Sequence, residues 1–309
     1  MLLMRAQALG IAATALGLCA CGAKLDGAAG VDAAPPDDTG GPGDDLPPPD
    51  NGLGTFGAPL KIDIAATTAA EDDGTLSSDG LELVWAVIDA ADGNRKKLFY
   101  AQRATTADVF ANALPVPFTA TGVDDETPRF SADNKTLFFG SNRAGTVGGL
   151  DIFSVSHPSA GNNFGTPAHV DNVSGTGTDK WFMECGTNGR YLLSKNNDLA
   201  EGLLSDAAGP TVSAELSSPG GETGTFLFPD CKTILFASSR NGPNQIFIAT
   251  RASETSAWNT PVLITDDPAF AQMLPLGGNQ QDPWLSGDGK TFVMVSDIGG
   301  TNDEYILTR

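Results

Sequence analysis

A repeat that starts and stops out of step limits this chain more than any other feature. The clearest copies are Phe130-Ser131-Ala132-Asp133-Asn134-Lys135-Thr136-Leu137-Phe138-Phe139-Gly140-Ser141, Phe228-Pro229-Asp230-Cys231-Lys232-Thr233-Ile234-Leu235-Phe236-Ala237-Ser238 and Leu285-Ser286-Gly287-Asp288-Gly289-Lys290-Thr291-Phe292-Val293-Met294-Val295-Ser296. In all three, Lys follows the Asp by two residues, Thr by three and Ser by eight. Weaker copies are Leu76-Ser77-Ser78-Asp79-Gly80 and Gly186-Thr187-Asn188-Gly189-Arg190, each followed by an apolar run. Asp folds its carboxylate onto nearby backbone N–H groups, Gly or Asn supplies a positive φ, and apolar runs flank the turn, so every copy predicts a β-hairpin. Third strands follow near residues 97–103, 150–155, 202–205, 245–250 and 304–309. A fourth strand begins with an aromatic residue and reaches a proline, as in Phe164-Gly165-Thr166-Pro167 and Trp258-Asn259-Thr260-Pro261; Phe110 to Pro115 is looser and residues 212–216 are degenerate. Proline suits an edge strand, where its missing N–H removes nothing from a ladder.

The fourth-strand signature also precedes the first hairpin, at Phe56-Gly57-Ala58-Pro59-Leu60-Lys61-Ile62, whereas Arg309 comes directly after a third strand. One strand is surplus at the start and one is missing at the end. A circular array resolves both, because the first strand completes the last blade. The expected fold is therefore all-β, a five-bladed β-propeller over residues 55–309 closed by its N-terminal strand, with about 50 residues per blade. An open solenoid would instead require capped ends.

The order Ser-x-Asp-Gly-Lys, apolar strand, Ser-x-Arg, then Ile-Phe resembles the WD40-like repeat of TolB-type propellers. Ser141-Asn142-Arg143 and Ser238-Ser239-Arg240 carry its second part, and Asp151-Ile152-Phe153 and Gln245-Ile246-Phe247 its third. The chain departs from the pattern at Val87, at Asp297-Ile298 and at Cys231, which stands where the turn favours glycine. The resemblance implies a propeller in the cell envelope and does not by itself assign a TolB partner.

Residues 1–5 carry one positive charge, and residues 6–18 form an apolar run shorter than the roughly 20 residues a spanning helix needs. Leu18-Cys19-Ala20-Cys21-Gly22 follows and resembles a bacterial lipobox, which implies a lipoprotein signal peptide over 1–20 and lipidation of Cys21. Residues 21–54 turn to Gly, Ala, Pro and Asp with no periodicity and read as a disordered tether. The tether holds seven aspartates against Lys24, leaving 16 basic and 31 acidic residues in the propeller. A formal net charge of −20, with cations outnumbered about two to one, argues against most nucleic-acid roles, and no nucleic-acid partner is expected.

One acid lies just upstream of each hairpin: Asp73, Glu126, Asp179, Glu222 and Asp282. First strands line a propeller's channel, so these five predict a carboxylate ring at one mouth, suited to a cation, a basic peptide or a sugar. The alternative is that each carboxylate caps its own loop or faces solvent. Trp181, Trp258 and Trp284 are placed in blade cores, although aromatic rings also stack on sugars. Gly287-Asp288-Gly289-Lys290-Thr291 ends like a P-loop but is explained by its hairpin. His157 and His169, the only histidines, are expected at the surface. Cys185 and Cys231 lie near the same end of neighbouring blades and form either a disulfide or two buried thiols, a Cα separation above about 7 Å excluding the bridge.

The sequence thus points to a lipid-anchored envelope propeller, monomeric, without a cofactor or catalytic residues, that binds an envelope protein or polysaccharide. Its location would be the outer membrane, facing the periplasm or the exterior. Competing expectations are a five-bladed carbohydrate-active hydrolase, which needs two carboxylates about 5–10 Å apart, or a lectin-like sugar binder.

Overall fold

Twenty strands among the described residues follow the order expected from the repeats. The computed structural model describes residues 55–309 apart from 63, 65–69, 271, 272 and 274–276. Residues 1–54, on which the expected signal peptide, Cys21 lipidation and tether fall, lie outside the described residues. Strand β1 is Leu60–Lys61. Blade one is β2 (Glu71–Leu76), β3 (Glu82–Asp89), β4 (Arg95–Gln102) and β5 (Ala111–Pro115). Blade two is β6 (Asp125–Phe130), β7 (Thr136–Ser141), β8 (Asp151–Ser156) and β9 (Ala168–His169). Blade three is β10 (Asp179–Cys185), β11 (Arg190–Lys195), β12 (Asp198–Leu203) and β13 (Thr211–Val212). Blade four is β14 (Glu222–Leu227), β15 (Thr233–Ser238), β16 (Gln245–Thr250) and β17 (Val262–Leu263). Blade five contains β18 (Gln280–Leu285), β19 (Thr291–Ser296) and β20 (Asp303–Thr308), and its outer strand is β1.

The ring closes through β1, which pairs antiparallel with β20 in the register Leu60↔Ile306 and Lys61↔Tyr305. Gly57 N–H donates to Thr308 O and Ile62 N–H to Glu304 O, at 2.9 and 2.8 Å, extending the junction on both sides. Phe56 is buried against Phe270 and Phe292, and the Arg309 guanidinium lies 4.3 Å from its ring centroid. The five-bladed propeller and its N-terminal closure are as the repeat arithmetic requires.

Each hairpin turn places a left-handed residue at the same point: Gly80, Asn134, Gly189, Cys231 and Gly289. In three blades the preceding serine donates to the turn aspartate, Ser77 to Asp79, Ser131 to Asp133 and Ser286 to Asp288, at 2.6–2.7 Å. The aspartate in turn accepts the N–H two residues onward, as in Lys135 N–H to Asp133 at 3.0 Å. These bonds satisfy turn groups that the ladder leaves free. Blade three departs from expectation: its third strand starts at Asp198, upstream of the predicted 202–205. Asn196 and Asn197 both have positive φ between the paired Lys195 and Asp198, so a two-residue turn replaces the longer loops of other blades.

The apolar cores lie between blades. Val84 and Leu98 of blade one pack with Phe139 and Phe153 of blade two; Phe138 and Ile152 meet Phe182 and Tyr191; Leu192 meets Phe236. His157, expected at the surface, is buried in the first of these junctions. Its ring stacks on Phe164 at 4.6 Å, Nδ1 faces Asn134 O at 2.9 Å, and Nε2 faces Gly161 O and Glu82 at 3.2 and 3.4 Å. The Ser-His-Pro segment reads locally as an exposed turn, but the following loop carries it back onto blade one. His169 sits on outer strand β9, with Nε2 3.0 Å from Asp151.

Cys185 at the end of β10 and Cys231 in the β14–β15 turn are joined by a disulfide, with Cα atoms 5.2 Å apart. The bridge spans 46 residues and ties blade three to blade four. Cross-linking a loop of that length removes denatured-chain entropy worth roughly 4 kcal/mol. Reduction, or the paired change Cys185→Ala and Cys231→Ala, should lower the urea midpoint correspondingly; an unchanged midpoint would show that the bridge does not support the folded ring.

Candidate functional site

The innermost strands β2, β6, β10, β14 and β18 pack side by side around the axis. Every one breaks register with its neighbour after its second residue. The third residue is left-handed in all five, with φ of 60° at Asp73, 55° at Thr127, 49° at Trp181, 56° at Gly224 and 50° at Asp282. Four of these are not glycine, so the bulge is imposed by packing around the axis and not by local preference. The bulge withdraws the next carbonyl from the ladder and points it inward. Gly224 shows how tight the turn is, since a Cβ there would lie 2.6 Å from Asp282 N.

Arg129, two residues beyond its bulge on β6, collects those carbonyls. It donates through Nε to Thr225 O at 3.0 Å and through Nη1 to Pro128 O and Gly74 O at 2.8 and 3.2 Å, while Nη2 lies 3.4 Å from Asp282 Oδ1. One guanidinium, 1% exposed, therefore touches blades one, two, four and five. Blade three joins through Thr225 Oγ1, which donates to Trp181 O at 2.6 Å.

On the side of Arg129 nearer the strand starts, the axis is charged. Lys96 Nζ is 2.7 Å from both Asp72 Oδ2 and Asp73 Oδ2 and 3.2 Å from Glu126 Oε2, and Lys180 Nζ is 3.1 Å from the same Glu126 oxygen. Asp72, Asp73 and Asp282 each bring an oxygen within 4.8 Å of the others. Glu304 of β20 accepts from Gly74 N–H at 2.8 Å, and a Cβ on Gly74 would overlap its carboxyl group. Burial, with the charges of Asp73 and Asp72, pushes Asp282 up to about 8. Burial and Asp282 likewise raise Glu304 well above the usual carboxylate range, and burial with Asp73 raises Asp72 to about 6. Burial opposes ionisation of Asp73 too, but the charge and hydrogen bond of Lys96 hold it low.

The five acids expected to ring one mouth occupy three different levels. Asp73 and Asp282 hold the third position of their strands and come together, and Glu126, at the second, joins them through Lys96. Asp179 and Glu222 hold the first position and serve their own blades. Glu222 accepts from Ser238 Oγ at 2.9 Å and from Arg240 Nη2 at 3.1 Å, with the guanidinium lying over Phe236 and Phe247. Asp125, Ser141 and Arg143 repeat this arrangement in blade two, over Phe139 and Phe153. The Ser-x-Arg and Ile-Phe elements of the repeat are thus one device, a first-position acid clamped by serine and arginine on aromatic rings. Asp179 accepts instead from Gly175 N–H, with Lys195 at 3.4 Å. Sequence reading missed Asp72, Lys96, Arg129, Lys180 and Glu304. Aligning the strands by their bulges would have placed Arg129 opposite Thr75, Met183, Phe226 and Trp284, as the single charge at that level.

Beyond Arg129, at the hairpin end, the axis becomes apolar. Phe130, Met183, Phe226, Phe228, Trp284 and Leu285 line a cavity of about 250 Å³ that opens between the turns. Glu184 stands at its edge, its carboxyl raised by burial and by the charge of Asp133. Trp258 instead packs in the junction of blades three and four and donates through Nε1 to Glu201.

No protein-family profile matches the chain, and no curated protein does. Among solved structures, the catalytic domain of the Coprinopsis cinerea GH62 α-L-arabinofuranosidase is similar at 10% identity with a TM-score of 0.55, over 82% of this chain and 96% of its own. A glycosyl hydrolase from Bacteroides ovatus is similar at 12% identity with a TM-score of 0.51, over 84% of this chain and 92% of its own. TolB from Acinetobacter baumannii aligns at 12% identity with a TM-score of 0.48, over 78% of this chain and 55% of its own. At these identities the likeness is one of fold.

Removing one partner of a buried ion pair strands the other, at a cost of roughly 3–5 kcal/mol. Arg129→Met should therefore lower the unfolding free energy by about that amount in urea titrations, and adding Asp282→Asn should recover part of it. A loss below about 1 kcal/mol would mean that the guanidinium does not hold the blades together.

Proposed function

We propose that this protein is a non-catalytic binding module of the bacterial cell envelope that receives an apolar segment of an envelope protein in the hairpin-end mouth of its channel. The observation that carries this reading is the cavity of about 250 Å³, to which all five blades contribute aromatic or aliphatic side chains. Concave, largely apolar openings with few polar groups are the usual form of such sites. The burial of the axial carboxylates supports the non-catalytic reading over a hydrolase. Asp73, Asp282 and Glu304 are at most 1% exposed, so a sugar ring cannot reach them. The disulfide between Cys185 and Cys231 fits an oxidising compartment, and Cys21 would supply the lipid anchor.

A photo-crosslinker placed at exposed Ala132 or Gly287 on the rim should give a discrete adduct with an envelope protein in intact cells, and Met183→Arg should abolish it. Release of sugar from a panel of polysaccharides, α-L-arabinofuranosides among them, would overturn the non-catalytic reading. The anchor is tested separately: Cys21→Ala should move the protein out of the membrane fraction, and a variant that still sediments with membrane would overturn that assignment.

A further inference from the structure

Five carboxylates and three cations share the charged half of the axis. Asp72, Asp73, Glu126, Asp282 and Glu304 face Lys96, Arg129 and Lys180, so full ionisation leaves two negative charges over. At that same place two carboxylate oxygens, Asp282 Oδ2 and Glu304 Oε2, have no hydrogen-bond partner, and both residues are 0% exposed. A buried polar oxygen without a partner is costly, and a buried unpaired charge more so. Charge excess and orphaned oxygens coincide, and both would be met by one doubly charged ion.

We infer that the seam between blades five and one binds a divalent cation of the calcium type, ligated by Asp72, Asp73 and Asp282 with Glu304 beside them. The donors are all oxygen, which selects a hard cation over zinc or copper. Their oxygens lie within 4.8 Å of one another. An ion with ligand distances of about 2.3–2.6 Å spans oxygens up to roughly 5 Å apart across its centre. Lys96 occupies part of this space, 2.7 Å from two of the ligands, and on ion binding it turns to Glu126, already 3.2 Å away. Its side chain is 22% exposed, so the ammonium can move without entering a sealed core. The ligands come from β2 and β18, so the ion would fasten the blades at which the ring closes.

The test uses the full chain, stripped with a chelator and titrated with CaCl₂ by calorimetry and by thermal unfolding. One ion per chain and a raised unfolding midpoint are expected. Asp282→Asn and Glu304→Gln should each weaken Ca²⁺ binding by at least about tenfold, as loss of a ligand or its supporting group does. In chelator Glu304→Gln should unfold no earlier than the wild type, since the carboxyl it replaces has an oxygen without a partner, whereas Asp282→Asn also takes a partner from Arg129 and should unfold earlier. Absence of binding by the wild type at millimolar Ca²⁺ would overturn the proposal, whatever the variants do. Unchanged affinity in both variants would also overturn it, by placing the ion elsewhere, for instance among the aspartates of residues 22–54.

Discussion

A guanidinium on the axis of a ring of sheets sets the terms for everything around it. Arg129 can be buried only because backbone carbonyls from three blades and one carboxylate converge on it. Those carbonyls are available only because each innermost strand kinks through a left-handed third residue. The kink and the arginine are therefore two aspects of one constraint: the bulges create unpaired acceptors that water cannot reach, and the charge satisfies them. This plug also divides the channel. Above it lie carboxylates that pair with Lys96 and Lys180 or are pushed up by burial, and below it lies an apolar mouth.

The division separates two chemically different ends of one channel. Asp73, Asp282 and Glu304 are packed against Arg129, Lys96 and Gly74 and buried, while Asp72 and Lys96 beside them keep partial exposure. Access is offered instead at the opposite end, through Phe130, Met183, Phe226 and Trp284. The repeated acids at first positions are likewise spent on architecture. Glu222 and Asp125 hold the serine and arginine of their own blades.

Features built within a single repeat were legible in the sequence. The hairpin turns follow from Asp, Ser and a left-handed residue a few positions apart, and the closure follows from counting strand signatures at the two ends. What escaped notice is built between repeats. The partners of Arg129 in other blades lie 55, 96 and 153 residues away, so no local pattern announces them. The five acids lie at unequal distances from their turns, and because every innermost strand bulges at its third residue, Asp73 and Asp282, the two nearest their turns, reach the axis whereas Glu222 stays in its blade. His157 was misplaced for a related reason, because its burial depends on a loop returning to another blade. The early third strand of blade three was announced by the pair Asn196-Asn197, a turn signal that the apolar run at 202–205 obscured.

The closing strand β1 also has a mechanical meaning. It is the first strand after residues 1–54, so any pull transmitted through that segment arrives at Phe56 and at the short ladder between β1 and β20 before it reaches any other blade. Two paired residues and a few flanking hydrogen bonds bear that load, while the covalent tie between Cys185 and Cys231 stands in blades three and four, away from the seam. Under tension the molecule would open like a bracelet at its clasp. Blades three and four would stay linked, and the ring could re-form by laying one strand back along β20.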